Sequence, residues 1–259
     1  MANLKITGRE ELIKKIISKK EFSQLPKKDV EKVFEKFDKE QFVDSEKVKL
    51  TRDLLRKMYS VFVSQKILNI KDKNAEWVLK KHMSTKERFD YYKEVYEKLL
   101  KGYKKINIFD LGCGVNGFSY KFFKNVDVNY IGVEAMGQLV EFMNYYFAKE
   151  KLKTKAIHES LFELEKIKKI ISKIKGRRVV FLFKTLDSLE MIERDYSKKL
   201  LREIVPMVDK VVVSFATKSL IAKKNFNAQR VWFEKFVKEE FEILDDFEVG
   251  SERYVVFCK

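Results

Sequence analysis

The stretch Ile106-Asn107-Ile108-Phe109-Asp110-Leu111-Gly112-Cys113-Gly114-Val115-Asn116-Gly117 decides how the rest of the chain reads. A β-rich run ends on an acid, and glycines follow at two- and three-residue spacing. Glycines there let the main chain turn sharply and approach a ligand. A carboxylate at a strand tip can pair with a cationic or hydroxyl group. A G-x-G alone also fits a plain strand-to-helix turn, so the surroundings must carry the argument.

Working outward, the pattern strand, turn, helix repeats. Ile106–Asp110, Val128–Glu134, Lys153–Ile157, Val179–Phe183 and Val211–Phe215 are short β-rich runs separated by helical lengths, the pattern of a parallel sheet with crossovers. Glu240–Val249 and Arg253–Cys258 are joined by a short turn at Gly250 and Ser251 and should pair antiparallel. Five parallel strands followed by a hairpin that leaves the last strand reversed is the layout of class I S-adenosylmethionine (SAM) methyltransferases: an α/β, Rossmann-like, seven-stranded sheet. Dinucleotide-binding domains usually finish with a sixth parallel strand.

Upstream, the chain is helical to about Leu100. Leu12, Ile16 and Ile17 share a face, and Val30, Val33, Phe34 and Phe37 repeat at helical spacing after Pro26. Ser45–Leu68 predicts a long helix capped by Ser45, with Leu50, Leu54, Leu55, Met58, Phe62 and Ile67 inward and basic side chains opposite. Ser84 and Glu87 are spaced for a capping box that opens a helix running to Leu100. The expected organisation is a helical domain over 1–80 and a SAM-dependent methyltransferase domain over 81–259.

The glycines fit a nicotinamide cofactor as well as SAM. Asp-Leu-Gly-Cys-Gly, with the acid two residues before the first glycine, favours SAM, as does the reversed last strand. Glu134 ends the second strand and could accept both ribose hydroxyls; it could equally cap the following helix. After the third strand, Glu159 or its backbone could meet the adenine amino group, under cover of Leu161 or Phe162. Cys113 reads as a small packing residue.

Lys+Arg 55 against Asp+Glu 39 gives a net charge of +16, shared by the parts before and after Leu100. Such an excess points to a polyanion such as nucleic acid, although a lysine-rich composition can also reflect habitat or codon usage. No apolar run approaches the roughly 18 to 20 residues of a membrane helix, and no apolar leader opens the chain, so a cytoplasmic location without membrane contact is expected. Two cysteines and two histidines without ligand spacing predict no metal site.

Four blocks in order extend the reading: His82-Met83-Ser84-Thr85-Lys86-Glu87-Arg88, Asp110 to Asn116, Leu182-Phe183-Lys184-Thr185-Leu186-Asp187-Ser188-Leu189-Glu190, and Val213-Ser214-Phe215-Ala216-Thr217-Lys218-Ser219-Leu220. From about Lys80 to Lys259 the chain resembles the 16S rRNA methyltransferases of aminoglycoside resistance, the Arm/Rmt or FmrO-like family. The resemblance implies a SAM-dependent enzyme, expected as a monomer, that modifies one base of 16S rRNA on the small ribosomal subunit and docks through its helical N-terminal part. It implies SAM contacts at Asp110, Gly112, Gly114, Glu134 and Glu159, with Arg88 and His82 near the methionine carboxylate. Arg88 could instead form a helix-surface ion pair, and His82 could be a cap or core imidazole. The segment Ser214–Arg230 should form the substrate side. There Phe215 would stack on the base, Lys218 would act at the pocket, and Lys223, Lys224 and Arg230 would hold phosphates. Lys184 and Glu190 should support the pocket from the other side or pair with each other, and the basic face of 46–66 is the docking candidate.

Three positions depart from the family pattern. Gly117 stands for Pro after Asn, Ala216 for Pro in the Ser-Phe-Pro-Thr block, and Ile221-Ala222 for a Gly pair. The target atom is therefore left open between guanine N7 and an exocyclic amine such as cytosine N4, and a housekeeping role is expected. Methyl transfer to another RNA, a protein or a small molecule, or an inactive RNA-binding module, would share the same fold.

Overall fold

Runs of Val, Ile and Phe that are buried on both faces can exist only inside a sheet covered by helices, and that is where they lie. The computed structural model describes residues 2–60, 74–217 and 230–259. Five parallel strands, β1 (Lys105–Leu111), β2 (Asp127–Glu134), β3 (Lys155–His158), β4 (Arg178–Phe183) and β5 (Lys210–Ala216), are joined to a hairpin of β6 (Glu242–Val249) and β7 (Glu252–Cys258). The sheet order is β3-β2-β1-β4-β5-β7-β6. β7 runs antiparallel to β5 and to β6. The methyltransferase layout read from the sequence is thus present, each strand lying within a few residues of its expected bounds.

The strand order reverses between β1 and β4, so the loops leaving their carboxyl ends diverge and open a crevice. Around the sheet pack α7 (Gly137–Lys149), α8 (Leu164–Ser172), α9 (Leu186–Ile192), α10 (Tyr196–Ile204) and α11 (Val231–Glu240), numbered after six helices among the described residues upstream. Those six are α1 (Ala2–Ile17), α2 (Lys27–Glu35), α3 (Asp44–Leu55), α4 (Ala75–Lys81), α5 (Met83–Arg88) and α6 (Tyr92–Leu99). The expected inward positions of α2 are met: Val30, Val33 and Phe34 are buried, and Phe37 is partly buried against them.

The upstream helices differ from expectation in three ways. α3 opens at Asp44, not behind a Ser45 cap; Val43 is its N-cap, and the Val43 N–H donates to Glu46 Oε2 at 3.1 Å. At Leu55 it passes into a π turn, Arg56–Ser60, and the expected inward residues Phe62 and Ile67 lie outside the described residues. The helix expected from Ser84 to Leu100 is two helices parted by a 3-10 turn, Phe89–Tyr91. The capping box is absent there because Glu87 is drawn to Lys184, 2.5 Å away, leaving His82 at the N-cap without a side-chain cap bond.

The N-terminal helices clamp the sheet's ligand end. The Gly137 N–H, at the start of α7, donates to the Gln24 carbonyl at 3.3 Å. Lys36 Nζ donates to the Met191 and Ile192 carbonyls at the end of α9, at 2.8 and 3.0 Å, and Lys32 pairs with Glu193. Cations at a helix C-terminus satisfy carbonyls that have no intrahelical partner.

Candidate active site

The loop after β1 is held from below and above. Gly112 and Cys113 N–H groups donate to the Val133 carbonyl at 2.8 and 3.1 Å, and Gly114 N–H donates to Glu134 Oε2 at 2.8 Å. Gly112 and Gly114 have φ of 72° and 54°, a region that costs a side-chain-bearing residue about 1–2 kcal/mol. A Cβ on Gly112 would lie 2.7 Å from Thr185 Cγ2, and one on Gly114 would lie 3.2 Å from His82 Cε1. The Gly117 departure has a packing reason: a Cβ there would fall 2.6 Å from Phe147 Cζ.

Asp110 sits at the tip of β1, almost fully buried. Its Oδ2 accepts from Asn116 Nδ2 at 2.6 Å and Tyr130 Oη at 2.8 Å, while Oδ1 has no hydrogen-bond partner. Burial pushes the carboxyl up to about 6, against the hydrogen bonds from Asn116 and Tyr130 and the Arg88 charge. Asn116 also accepts from Tyr92 Oη at 2.7 Å and from Arg88 Nη1 at 3.2 Å, so the helices before β1 are wired to the strand tip.

Glu134 serves as both loop anchor and helix cap. Its other oxygen accepts from the Met136 N–H at 2.9 Å. Each carboxylate oxygen keeps a second lone pair for a ligand hydroxyl. Burial raises its pKa, and the backbone N–H groups of Met136 and Gly114 act in the opposite sense.

At the other wall stands an unforeseen ion cluster. Arg88, expected at a cofactor carboxylate or on a helix surface, is buried and paired with Glu252 of β7: Nη2 lies 2.5 Å from Oε1 and Nε 3.2 Å from Oε2. Glu252 also accepts from the Ser214 hydroxyl and lies 3.4 Å from Lys184 Nζ. Lys184 therefore pairs with Glu87 and Glu252 rather than Glu190, and its own φ of 58° turns it into the crevice. Glu190 instead accepts from the Asp195 and Ser197 N–H groups at 2.7 and 2.8 Å, holding the start of α10. His82 is buried beside this cluster, and burial, with the Arg88 and Lys184 charges, pushes it down to about 3, so it is neutral at physiological pH.

Between the two walls lies a cleft of about 920 Å³, its open mouth included. His82, Arg88, Asp110, Gly112, Gly114, Glu134 and Lys184 all line it, with Thr185, Ser188 and Leu189 on the β4 side. Glu159 does not: its Oε1 accepts from the Ser160 N–H at 3.0 Å and pairs with Lys166. Asp29, Met58 and Tyr59, from the N-terminal helices, also line the cleft, with no local pattern to announce them. Glu252 was missed too, since nothing local distinguishes it from the other acids of the hairpin.

The substrate-side expectations need correction. Phe215 is buried, with Phe233 edge-on at 4.9 Å and the Arg230 guanidinium 4.3 Å from its ring centroid, so it offers no stacking face. Arg230 is held by Asp187, with Nη2 2.6 Å from Oδ2, bridging α11 to α9. Lys218, Lys223 and Lys224 lie outside the described residues. Among the described residues no group of three or more His, Cys, Asp or Glu could hold a metal ion, and no helix is long and apolar enough to cross a membrane.

The family model for ribosomal RNA methyltransferase (FmrO) matches residues 52–256. The chain belongs to the FmrO family of ribosomal RNA methyltransferases. As a member it is a SAM-dependent enzyme, and two observations show that the cleft fits the cofactor. Gly112 and Gly114 leave no room for a Cβ beside Thr185 and His82, so the bare main chain lines the cleft, and Asp110, also on its wall, keeps a buried Oδ1 without a hydrogen-bond partner.

This FmrO-family chain is similar in structure to the 16S rRNA methylase RmtB, with a TM-score of 0.77, 18% identity, and coverage of 96% of this chain and 98% of that one. The 16S rRNA methyltransferase RmtF, solved in complex with S-adenosyl-L-homocysteine, matches with the same score, identity and coverage. The 16S rRNA methylase ArmA matches at TM-score 0.57 and 26% identity, over 71% of this chain and 90% of that one. No curated protein sequence matches the chain.

Proposed function

We propose that this rRNA methyltransferase acts on a base nitrogen of 16S rRNA in the small ribosomal subunit. It would work as a cytoplasmic monomer in a housekeeping role, residues 1–80 docking on RNA and 81–259 carrying the chemistry. The observation that carries the reading is the crevice between the glycine loop and Lys184–Thr185, which joins a cofactor cradle to an opening lined by polar groups.

Bound SAM supplies an activated methyl group on a sulfonium, so the chain's residues have to bind, orient and exclude water. Asp110 Oδ1 would take the methionine ammonium, and Arg88, whose Nη1 and Nη2 each carry a second N–H beyond the Asn116 and Glu252 bonds, would take the methionine carboxylate with neutral His82 beside it. The Gly112–Gly114 backbone would lie along the ligand, and Glu134 would accept the ribose hydroxyls. Lys184 and Ser188, at the β4 side, would hold the target base. Guanine N7 has a free lone pair and needs only positioning, and its neighbour O6 accepts hydrogen bonds. Lys184 is a pure donor, which favours guanine N7 over cytosine N4, an amine that needs acceptors.

The RNA face we assign is a groove between α1 and α3 lined by Lys15, Lys19, Lys49, Arg52 and Arg56, with Asp53 the single acid on its wall among the described residues. Arg56 is committed to Glu21 and Asp53, leaving the lysines for phosphates. The test is mass spectrometry of nucleosides from small subunits treated with enzyme and SAM. 7-Methylguanosine in 16S rRNA is expected, and a methylated amine would redirect the base assignment.

A further inference from the structure

The cleft reaches one buried acid that the scheme above leaves without work. Asp29, in the first turn of α2, is 2% exposed. Its Oδ1 accepts from Tyr59 Oη at 2.5 Å; its Oδ2 makes no hydrogen bond of full geometry, and the Ser160 hydroxyl is the other donor that acts on the carboxyl. Both residues line the cleft, with Met58 beside them. A buried carboxylate oxygen short of a full hydrogen bond is costly, and it keeps a lone pair for a ligand donor.

The position along the sheet says which ligand group. A cofactor lying across the carboxyl ends of the strands passes from β1 to β2 to β3. Its methionine end falls at Asp110, its ribose at Glu134 and its base at the tip of β3, where Ser160 and Leu161 follow. Asp29 is at that last station: the Ser160 hydroxyl and the Glu159 charge both act on its carboxyl, and Leu161 lines the same cleft. Burial pushes the Asp29 carboxyl above the usual range, against the pull of the Ser160 and Tyr59 hydroxyls. Glu159, which the sequence offered for the adenine amine, is turned away to Lys166.

We infer that Asp29, held by Tyr59, is the acceptor for the adenine 6-amino group of SAM, so that the N-terminal helical part completes the cofactor site. The inference rests on the cofactor orientation proposed above. Adenine presents two N–H donors at that edge. A 6-oxo base presents a carbonyl, which a carboxylate repels. The N-terminal part, assigned above to RNA docking, would thereby also decide which nucleoside the site accepts.

The test is calorimetric affinity for S-adenosylhomocysteine and for its deaminated analogue S-inosylhomocysteine, on wild type, Asp29→Asn and Tyr59→Phe. Wild type should prefer the adenosyl compound about tenfold or more, the worth of one hydrogen bond to a charged acceptor. Asp29→Asn can present either an oxygen or an amine, so its preference should fall to within about threefold while inosyl affinity holds or improves. Tyr59→Phe should lie between.

Equal loss of both affinities in Asp29→Asn, or a preference it retains in full, overturns the inference. Wild type that binds both compounds equally overturns it even if the Asn variant does not fold. Wild type that binds neither overturns the cofactor assignment along with it.

Discussion

Glu252→Gln should be among the most damaging single isosteric changes in this protein. In the wild type two cations, the buried Arg88 and the partly buried Lys184, share Glu252, and the second carboxylate, Glu87, reaches only Lys184. The Gln side chain keeps the shape but removes the charge, and its amide group would turn an N–H toward either Arg88 or the Ser214 hydroxyl. Removing one partner of a buried pair leaves a charge uncompensated, which costs about 3–5 kcal/mol. At about 2–4 °C per kcal/mol for a chain of this size, the melting midpoint should fall by roughly 10 °C.

The pH dependence has a definite sign. Burial alone would raise the Glu252 pKa, but the Arg88 charge and then that of Lys184 more than offset it, holding the group below its usual 4.5. A depressed acid contributes stability that is present above its unfolded value and is lost as pH falls through the folded one. The gap between wild type and Glu252→Gln, measured by urea unfolding, should therefore be full at pH 7 and narrow only as pH falls below the usual carboxylate value of 4.5. The apolar double replacement Arg88→Met with Glu252→Leu should recover much of the loss, because neither charge is then stranded. A gap under about 1 kcal/mol at pH 7, the worth of a surface pair, would refute the reasoning.

Three further outcomes follow from the geometry. Asp110, raised to about 6, must be ionised to hold the methionine ammonium, so the S-adenosylhomocysteine dissociation constant should rise about tenfold between pH 7 and pH 5. The unliganded protein should show the opposite trend at this group, since the stability it contributes is present below its unfolded pKa and lost as pH rises through 6; a flat affinity profile would remove Asp110 from the site. Gly112→Ala meets both a positive φ and Thr185 Cγ2, and should cost at least about 1–2 kcal/mol in unfolding free energy together with measurable cofactor affinity; no change in either would mean the loop is not a tight cradle. Lys19→Ala with Lys49→Ala should weaken binding to small subunits and lower the salt slope by about 1–2, leaving cofactor affinity unchanged; an unaltered slope would move RNA docking elsewhere.

What could be read from the sequence was whatever local chemistry dictates. The runs of Val, Ile and Phe identified β1, β2, β4 and β5, because a strand buried on both faces admits little else; the largely exposed β3 and β6 were legible from the alternation of elements and the turn at Gly250, and the acid-glycine turn located the crevice. Asp110, Gly112, Gly114 and Glu134 share that cleft because each sits at a strand tip, a position the alternation of elements already implies. What escaped was set by distance along the chain. Glu87 looked like a capping residue until Lys184, 97 positions on, claimed it, and Arg88 met Glu252 across 164 positions. Asp29 and Tyr59 reach the cleft because the N-terminal segment folds back against the start of α7 and the end of α9, which no spacing rule encodes. Phe215 was misread for a related reason: at the end of β5 it looked available, but Phe233 and Arg230 close over it.

The most direct test of the account is transfer of tritiated methyl groups from SAM to purified small ribosomal subunits, followed by separation of rRNA from ribosomal proteins. Label in 16S rRNA is expected, abolished by Glu134→Ala and by Gly112→Arg. Label in the protein fraction, or in no fraction from a folded enzyme that binds the cofactor, would contradict it.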